Sequence, residues 1–379
     1  DIGVRQGDNL SPTLFNIFIN DIPAIFEKAS CKPVELNTFS LNCLLYADDL
    51  VVLSETQEGI QNSLNKLAEY CNDWGLTVNP LKTKLIIFNP RKNENVKITF
   101  DNHELELVEE ATYLGVIINK NGTFDHTKNA LYKKGLKAFF KLRKQLSPLP
   151  KPSTCMHLFN HIIKPVLLYG CEVWAYSLFG ERNHKKINTN NIETLYNARA
   201  SPIEKALTKY CKMILQVSSK ADNLGVYGEL GVYPLYIDAV IHLLKYWSFI
   251  ENKSPNILVQ DALNCSKELH TKGTHTWYSF ASNIKQATLF TQSNLAPNDY
   301  EINTIRRKLK SRYINFWRDS LYNDTNSKSE NGKKLRSYRN FKLNFEEEAY
   351  LDVVKNPNWR RELTKFRLST HRLNIEVGR

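Results

Sequence analysis

The 379-residue sequence lacks features that mark several classes of protein. It has no unbroken apolar stretch of the ~18–20 residues that a membrane-spanning helix needs, and its mean hydropathy is −0.42. Its seven cysteines are scattered and form no CxxC pair, which argues against a disulfide scaffold or an internal zinc knuckle and favours a reducing compartment. It begins at Asp1, without an initiator methionine or a secretory signal.

Positive charge and apolar residues are both abundant. There are 51 Lys and Arg against 39 Asp and Glu, a net charge of +12. Hydrophobic residues make up 42% of the chain and aromatic residues 11%, enough to build packed cores, so the composition excludes a disordered chain. The basic balance predicts a polyanionic partner, with nucleic acid first and an anionic membrane second.

The first 120 residues alternate helix and strand patterns. Ser11-Pro12 predicts a helix opening with a hydroxyl cap, followed by apolar residues at helical spacing. Short apolar runs flank Ala47-Asp48-Asp49, which predicts a tight β-hairpin. An amphipathic helix is expected over Gln57–Trp74 and ends at Gly75. Further strand patterns lie at Leu76–Val78, Leu85–Phe88, Val96–Phe100 and Tyr113–Ile118.

From about residue 120 the pattern becomes helical and strongly basic. The window 128–151 has no acidic residue and contains Lys128, Lys133, Lys134, Lys137, Lys141, Arg143, Lys144 and Lys151. Aromatic residues between these cations favour a packed helix with an exposed basic stripe, although a simple solvated helix face is the alternative. Residues 255–304 read as a linker or loop-rich region, and a second basic, aromatic-rich helix follows at 306–318.

The pair Asp48-Asp49 carries the sharpest chemical signal. Adjacent carboxylates at a hairpin tip repel each other, and a divalent cation relieves that repulsion. Mg²⁺ is often held by one or two carboxylates together with substrate phosphates. An exposed Asp-Asp turn without function is the alternative, and the apolar runs on both sides argue against it.

Three further motifs are weak when taken singly. The glycines of Gly3–Pro12 allow a backbone to approach a ligand closely at a loop-to-helix junction. Lys82 could neutralise or protonate a leaving pyrophosphate, but the residue taken by itself favours a solvated surface lysine. Tyr113-Leu114-Gly115 could form a tight hairpin against a nucleic-acid backbone or a plain strand with a bulge.

The order of these motifs resembles the reverse transcriptases of non-LTR retrotransposons. Gly3–Asp21 is similar to that family's block B, Leu44–Leu53 to block C, Trp74–Phe88 to block D and Tyr113–Val116 to the primer-grip block E. The resemblance covers about residues 1–250 specifically.

The resemblance implies roles for individual residues. Asp48 and Asp49 would be catalytic and hold Mg²⁺ or Mn²⁺, two ions in the intact enzyme, and Lys82 would assist departure of pyrophosphate. Tyr113, Leu114 and Gly115 would grip the primer. Nucleotide and template contacts would come from Arg5, Gln6, Gly7, Ser11 and Tyr46. Contacts to the nucleic-acid backbone would come from Lys133, Lys134, Lys137, Lys141, Arg143 and Lys144.

The fold implied is α+β. It comprises a partial polymerase palm, with an antiparallel sheet and packed helices, followed by a mainly helical thumb and C-terminal region. The predicted domains are residues 1–119 (palm, blocks B to E), 120–255 (helical basic thumb-like domain) and 256–379 (helical basic C-terminal region).

The family also needs a block A aspartate and fingers, which would lie upstream of Asp1. We therefore expect a fragment of an RNA-directed DNA polymerase that is inactive alone. Its partners would be an RNA template, a DNA primer and deoxynucleoside triphosphates, with no membrane, in a ribonucleoprotein of cytoplasm and nucleus. A non-catalytic RNA- or DNA-binding protein derived from a retroelement is the alternative.

Overall fold

A computed structural model describes residues 5, 7–27, 31–36, 39–89, 96–146, 150–179, 201–322, 335 and 337–371. The chain divides into two compact units. The first comprises Asp1–Thr123 and Pro255–Glu268, and the second comprises Phe124–Ser254 and Leu269–Arg379.

The described part of residues 1–123 contains three helices and ten short strands. The helices are α1 (Ser11–Phe18), α2 (Ile22–Glu27) and α3 (Gln57–Trp74). The strands are β1 (Val34–Leu36), β2 (Phe39–Leu41), β3 (Cys43–Tyr46), β4 (Asp49–Val52), β5 (Lys84–Leu85), β6 (Thr99–Phe100), β7 (His103–Glu104), β8 (Glu106–Leu107), β9 (Glu110–Tyr113) and β10 (Val116–Asn119).

These strands pair two by two. Four pairs are antiparallel, β1–β2, β3–β4, β6–β7 and β9–β10, and β5 pairs in parallel with β8. The pairs β3–β4, β6–β7 and β9–β10 are tight hairpins with two-residue turns, and the one formed by β3 and β4 confirms the hairpin predicted around Asp48-Asp49. Mixed helix and strand confirm the α+β class, while the palm and thumb assignments stay predictions.

Helix α3 has the bounds that its sequence predicts. The Thr56 side chain accepts a hydrogen bond from the Gly59 N–H at the start of the helix. At its end Gly75 takes φ +65°, the left-handed conformation that glycine adopts at little steric cost, and its N–H donates to Cys71 O. The apolar face of α3 packs into a core cluster that also includes Ile22, Phe26, Ile98 and Phe100.

Helix α1 forms where predicted but differs in two details. Ser11 is the first helical residue rather than the cap, so its hydroxyl donates to the backbone oxygen of Arg5 (2.6 Å) and does not accept from a backbone N–H at the helix start. No residue of α1 is fully buried, and the expected inward Leu14 is 52% exposed. A helix of eight residues presents only two turns to the core, and the burial of this segment comes from Ile19 and Ile22, just beyond α1.

The strand predicted at Leu76–Val78 is absent from the described structure. Leu76 and Val78 pack as extended chain against the first-unit core without a paired strand beside them. The alternation of apolar residues therefore indicates which side chains pack against the core, but in the described structure no neighbouring strand pairs with this segment.

The rest of the described chain is helical. Its α-helices are α4 (Asp125–Gln145), α5 (Pro152–Leu158), α6 (Lys164–Leu167), α7 (Cys171–Trp174), α8 (Pro202–Ile214), α9 (Asn223–Leu230), α10 (Leu235–Asn252), α11 (Ile257–Thr271), α12 (Trp277–Leu289), α13 (Asp299–Tyr322), α14 (Tyr338–Phe341), α15 (Tyr350–Val353) and α16 (Pro357–Arg367). A π-helical turn, Phe159–Ile163, and a 3-10 helix, Ala175–Phe179, complete it.

The linker predicted over residues 255–304 is wrong, because α11 and α12 lie there. Helix α12 begins with a capping box in which Thr276 and Ser279 each accept from the other's backbone N–H. Its residues Phe280, Ala281 and Ile284 are fully buried. The polar composition of the segment favoured a linker, but α12 buries polar residues as well, among them Ser279, Ser282, Lys285 and Thr288.

A buried ion pair joins distant parts of the second unit. Glu229 on α9 is fully buried, and Arg367 Nε donates to both of its carboxylate oxygens at 3.0 Å. Arg367 Nη2 also lies 2.9 Å from Glu348, and the Tyr350 hydroxyl donates to Glu229 at 2.6 Å. A carboxylate without these donors would be an uncompensated charge in the core.

Within the described residues no single helix is long and apolar enough to cross a membrane. One bent pair, Pro152–Leu167 with Cys171–Phe179 at 63°, meets the requirement by length and composition only. Leu167, Cys171 and Trp174 of this pair are fully buried.

We expect Arg367→Met to lower the free energy of unfolding of the second unit by about 3–5 kcal/mol, because it leaves the Glu229 charge buried without its cationic partner. Urea unfolding followed by tryptophan fluorescence measures this, since five of the six tryptophans (Trp174, Trp247, Trp277, Trp317 and Trp359) lie in that unit. The exposed Lys355→Met should change stability by less than about 0.5 kcal/mol. Equal effects of the two substitutions would show that the ion pair is dispensable.

Candidate active site

The β3–β4 hairpin presents the two acids at its tip. Tyr46 pairs with Asp49, and Ala47 and Asp48 form the turn, with Ala47 at φ +51°. Side chains alternate between the two faces of a strand pair, so Tyr46 and Asp49 share the face opposite to the one that packs inward. The inward pairs are Cys43 with Val52 and Leu45 with Leu50, all packed against the first-unit core.

Asp48 and Asp49 are both exposed. In the part of the chain that the structure describes, neither carboxylate accepts a hydrogen bond or pairs with a cation. The repulsion between the two charges is thus screened by water alone, and a cation at the tip would lower it.

The two carboxylates at the hairpin tip fit a divalent cation whose remaining ligands are water or substrate phosphates. No group of three or more His, Cys, Asp or Glu side chains able to hold a metal is found among the described residues. Mg²⁺ retains several waters and commonly uses one or two protein carboxylates plus substrate phosphates. Asp48 and Asp49 can supply those two carboxylates.

The β9–β10 hairpin carries the second motif. Tyr113 pairs with Val116, and the two turn residues Leu114 and Gly115 have φ of +47° and +80°. In a two-residue hairpin, a turn whose central residues are both left-handed matches the twist of the strands. This requirement explains why a glycine stands at position 115. Leu114 holds the same conformation without glycine's freedom, which stores backbone strain at the tip of the hairpin.

Tyr113 on the second hairpin lies close enough to Asp49 on the first to be influenced by its charge. Partial burial raises the pKa of the Tyr113 hydroxyl, and the nearby Asp49 carboxylate raises it further. The sequence predicts a functional role for both residues but not their interaction. They are 64 positions apart (113 − 49), and no local pattern joins them.

Lys82 lies in an exposed turn built by Asn79. The Asn79 side chain accepts from the backbone N–H groups of Leu81 and Lys82. The neighbouring Lys84 is neutralised by an ion pair with Glu106, whereas Lys82 has no acidic partner among the residues described. The structure records no contact between Lys82 and either acid of the hairpin tip.

The predicted nucleotide and template residues are spread over an exposed loop and the hairpin. Arg5 is exposed, and its backbone oxygen accepts from Ser11, so the Ser11 hydroxyl is already engaged in shaping the loop. Gly7 has φ +88° with open space around it. Tyr46 is 63% exposed beside the acids, and Gln6 lies outside the described residues.

The predicted basic stripe is present on α4. Six cations are exposed: Lys133, Lys134, Lys137, Lys141, Arg143 and Lys144. The opposite face is buried through Leu131, Gly135, Phe139 and Leu142. Lys128 differs from the six because it is buried, 2.7 Å from Asp125 and 3.1 Å from the backbone oxygen of Ser177.

Residues 2–118 match the family described as reverse transcriptase (RNA-dependent DNA polymerase). The chain is 29% identical over 210 residues to a probable RNA-directed DNA polymerase from transposon BS of Drosophila melanogaster, covering 52% of this chain and 21% of that protein.

Two further relatives come from other mobile elements. The chain is 33% identical over 130 residues to a retrovirus-related Pol polyprotein from type-1 retrotransposable element R2 of Nasonia vitripennis, covering 32% of this chain and 12% of that protein. It is 23% identical over 209 residues to an RNA-directed DNA polymerase from mobile element jockey of Drosophila melanogaster, covering 53% and 22%. The chain thus spans about a fifth or less of the length of these relatives.

We expect Asp49→Asn to lower the pKa of Tyr113, because it removes a negative charge that disfavours the phenolate. The pKa should stay above the usual tyrosine value, since partial burial is the larger cause. A ¹³C-tyrosine NMR titration, assigned with Tyr113→Phe, measures it. Asp48→Asn is the matched control, and an equal decrease in that variant would contradict a specific influence of Asp49 on Tyr113.

Proposed function

Because residues 2–118 belong to the reverse transcriptase family of non-LTR retrotransposons, we propose that this chain forms the part of such an enzyme that holds the catalytic cations and the primer terminus. The observation that supports this most is the exposed Asp48-Asp49 pair, without a described cationic partner, next to the Tyr113 hairpin. The substrates would be an RNA template, a DNA primer and deoxynucleoside triphosphates.

In the proposed reaction the primer 3′ oxygen bonds to the α-phosphorus of the nucleotide as the bond to pyrophosphate breaks. Divalent cations, when bound, neutralise the phosphates and favour deprotonation of the 3′ hydroxyl. Asp48 and Asp49 would hold them through carboxylate oxygens that have no competing hydrogen bonds among the described residues. We take Mg²⁺ as the physiological ion and Mn²⁺ as its substitute.

Lys82 would act on the leaving group. Its ammonium group has no acidic partner in the described structure, so its Nζ proton and charge remain free to serve the departing pyrophosphate. Because Asn79 fixes only the backbone of the turn, the side chain would reach the nucleotide once substrate is bound.

The second hairpin would position the primer. Leu114 and Gly115 place backbone N–H and carbonyl groups at a narrow tip, and Gly115 adds no side chain that would keep a sugar-phosphate backbone away. Tyr113 adjoins this tip in the chain and lies within the electrostatic influence of Asp49, so the primer terminus and the cations would be held near each other.

The loop before α1 would contact template and nucleotide. Arg5, Gln6 and Gly7 would supply these contacts together with Tyr46 of the first hairpin. Ser11 would act by holding the Arg5 backbone rather than by touching the nucleotide, since its hydroxyl is already bonded. The exposed stripe of α4 would bind the phosphates of the template–primer duplex.

We expect Asp48→Asn and Asp49→Asn each to weaken Mn²⁺ binding by about tenfold, equivalent to about 1.4 kcal/mol, because each removes a charged ligand. The measurement is EPR of free Mn²⁺ titrated into the chain with primer–template and a non-hydrolysable nucleotide. Asp73→Asn, an exposed aspartate on α3, is the control. The proposal fails if all three variants bind Mn²⁺ as the wild type does.

We also expect this 379-residue chain to bind primer–template but to extend it poorly, because the described residues bring no third carboxylate to Asp48 and Asp49. Gel analysis of primer extension with Mg²⁺ or Mn²⁺ measures this. Robust extension would contradict the expectation. Salt-sensitive RNA binding that is indifferent both to Mg²⁺ and to Asp48→Asn would favour the non-catalytic alternative.

A further inference from the structure

The second unit contains a basic groove that the proposed polymerase chemistry does not use. Its volume is about 810 Å³. Helix α8, the end of α4 and helix α16 all contribute to it, together with the chain after α8. Six of its twelve lining residues are cationic and none is acidic; the cations are Arg143, Lys205, Lys209, Lys212, Arg361 and Lys365.

Helix α8 shows how the groove is built. Lys205, Lys209 and Lys212 are spaced by four and three residues and therefore share one face of the helix. The other face is fully buried through residues such as Ile203, Leu207 and Cys211. Like charges at this spacing destabilise a helix, so folding alone does not explain the arrangement.

The positive charge of the groove is only partly neutralised. Glu362 lies 2.9 Å from both Arg361 and Lys365, at the edge contributed by α16. Arg143, Lys205 and Lys209 have no acidic partner in the portion of the chain that is described, and Lys209 Nζ lies over the Phe140 ring at 5.0 Å.

Lys212 is held inside the groove. Its ammonium donates to the backbone oxygen of Ser219 at 2.8 Å, which fixes its direction. Burial lowers the pKa of Lys212, and the Asp222 carboxylate partly opposes that effect. A bound anion would compensate this desolvated cation.

We propose that this groove binds a single-stranded segment of RNA through its phosphodiester backbone. The cations match phosphates spaced along a strand, and the volume lies in the range of sites that hold small ligands, about 300–1,000 Å³, too small for a duplex. Neutral polar side chains between the cations, Thr208, Gln216, Ser219 and Asn223, suit hydrogen bonding to 2′-hydroxyls.

The inference is independent of the metal chemistry. Every residue that carries it belongs to the second unit, whereas Asp48, Asp49, Lys82 and Tyr113 belong to the first. It also differs from the α4 stripe, which is proposed for duplex phosphates; Arg143 is the residue common to the two surfaces.

The test compares three double variants of the 379-residue chain that each remove two charges. Lys205→Gln/Lys209→Gln alters the groove, and Lys133→Gln/Lys137→Gln alters the α4 stripe. Lys245→Gln/Lys272→Gln is the matched control at exposed positions outside both surfaces. Circular dichroism melts confirm that all three fold alike.

Fluorescence anisotropy would report binding of a labelled oligouridylate of about ten nucleotides and, separately, of a primer–template duplex. For the groove variant we expect the salt slope for single-stranded RNA to fall by about 1.4 and affinity at ~0.1 M salt to drop roughly 25-fold. Its duplex affinity should stay within about twofold, whereas the α4 variant should show the reverse preference.

Four results would overturn the proposal. One is equal loss of RNA affinity in the groove and control variants. Another is loss of duplex affinity in the groove variant as large as its loss for single-stranded RNA. The third is displacement of RNA by inorganic tripolyphosphate at the same phosphate concentration, which would mark a small-anion site. The fourth is binding of a matched single-stranded DNA as tightly as RNA. Mn²⁺ binding at Asp48 is measured separately, so either proposal can fail alone.

Discussion

The pairing of β3 with β4 is the constraint that places two carboxylates, Asp48 and Asp49, side by side at one exposed tip. The hairpin cannot separate the two charges, because Asp49 is fixed by its pairing with Tyr46 and Asp48 occupies the turn beside it. Apolar pairs on the inward face, backed by α3, hold the hairpin in place. The described structure supplies no cation to neutralise the tip. The packing of the unit therefore stabilises two neighbouring carboxylates whose charge a cation from the surroundings would neutralise.

The second hairpin extends this electrostatic unit. Tyr113 is partly desolvated and lies within the field of Asp49, so a cation bound at Asp49 would also change the environment of Tyr113. Leu114 is held in a left-handed conformation next to it. Strain of this kind persists only where the surrounding structure enforces it, here by the four-residue ladder of β9 and β10. Tyr113 thereby links the surroundings of Asp49 to the turn at Leu114.

The positive charge of the second unit is arranged in two ways. On α4 the cations form an open stripe above a buried apolar face, which suits a long, regular line of phosphates. In the groove the cations come from three helices and converge on a limited volume, with Lys212 partly desolvated. The fully buried Glu229, paired with the largely buried Arg367, instead serves packing. The burial of a charged side chain and the presence of an oppositely charged partner thus distinguish charges that stabilise the fold from those available to bind a ligand.

Sequence alone determined the features that depend on near neighbours. The bounds of α3, the hairpin at Asp48-Asp49, the exposed cations of α4 and the reverse transcriptase resemblance all follow from spacing, caps and motif order. Local pattern failed for Leu76–Val78, for α12 and for the Ser11 cap, where tertiary packing or a loop contact prevailed over local preference. Only the tertiary structure decided that Tyr113 lies within the influence of Asp49, that Lys128 is buried while the other cations of α4 are exposed, and that α4, α8 and α16 share a groove. Each of these depends on residues far apart in the chain, and their proximity is fixed by the packing of whole elements rather than by any short stretch of sequence.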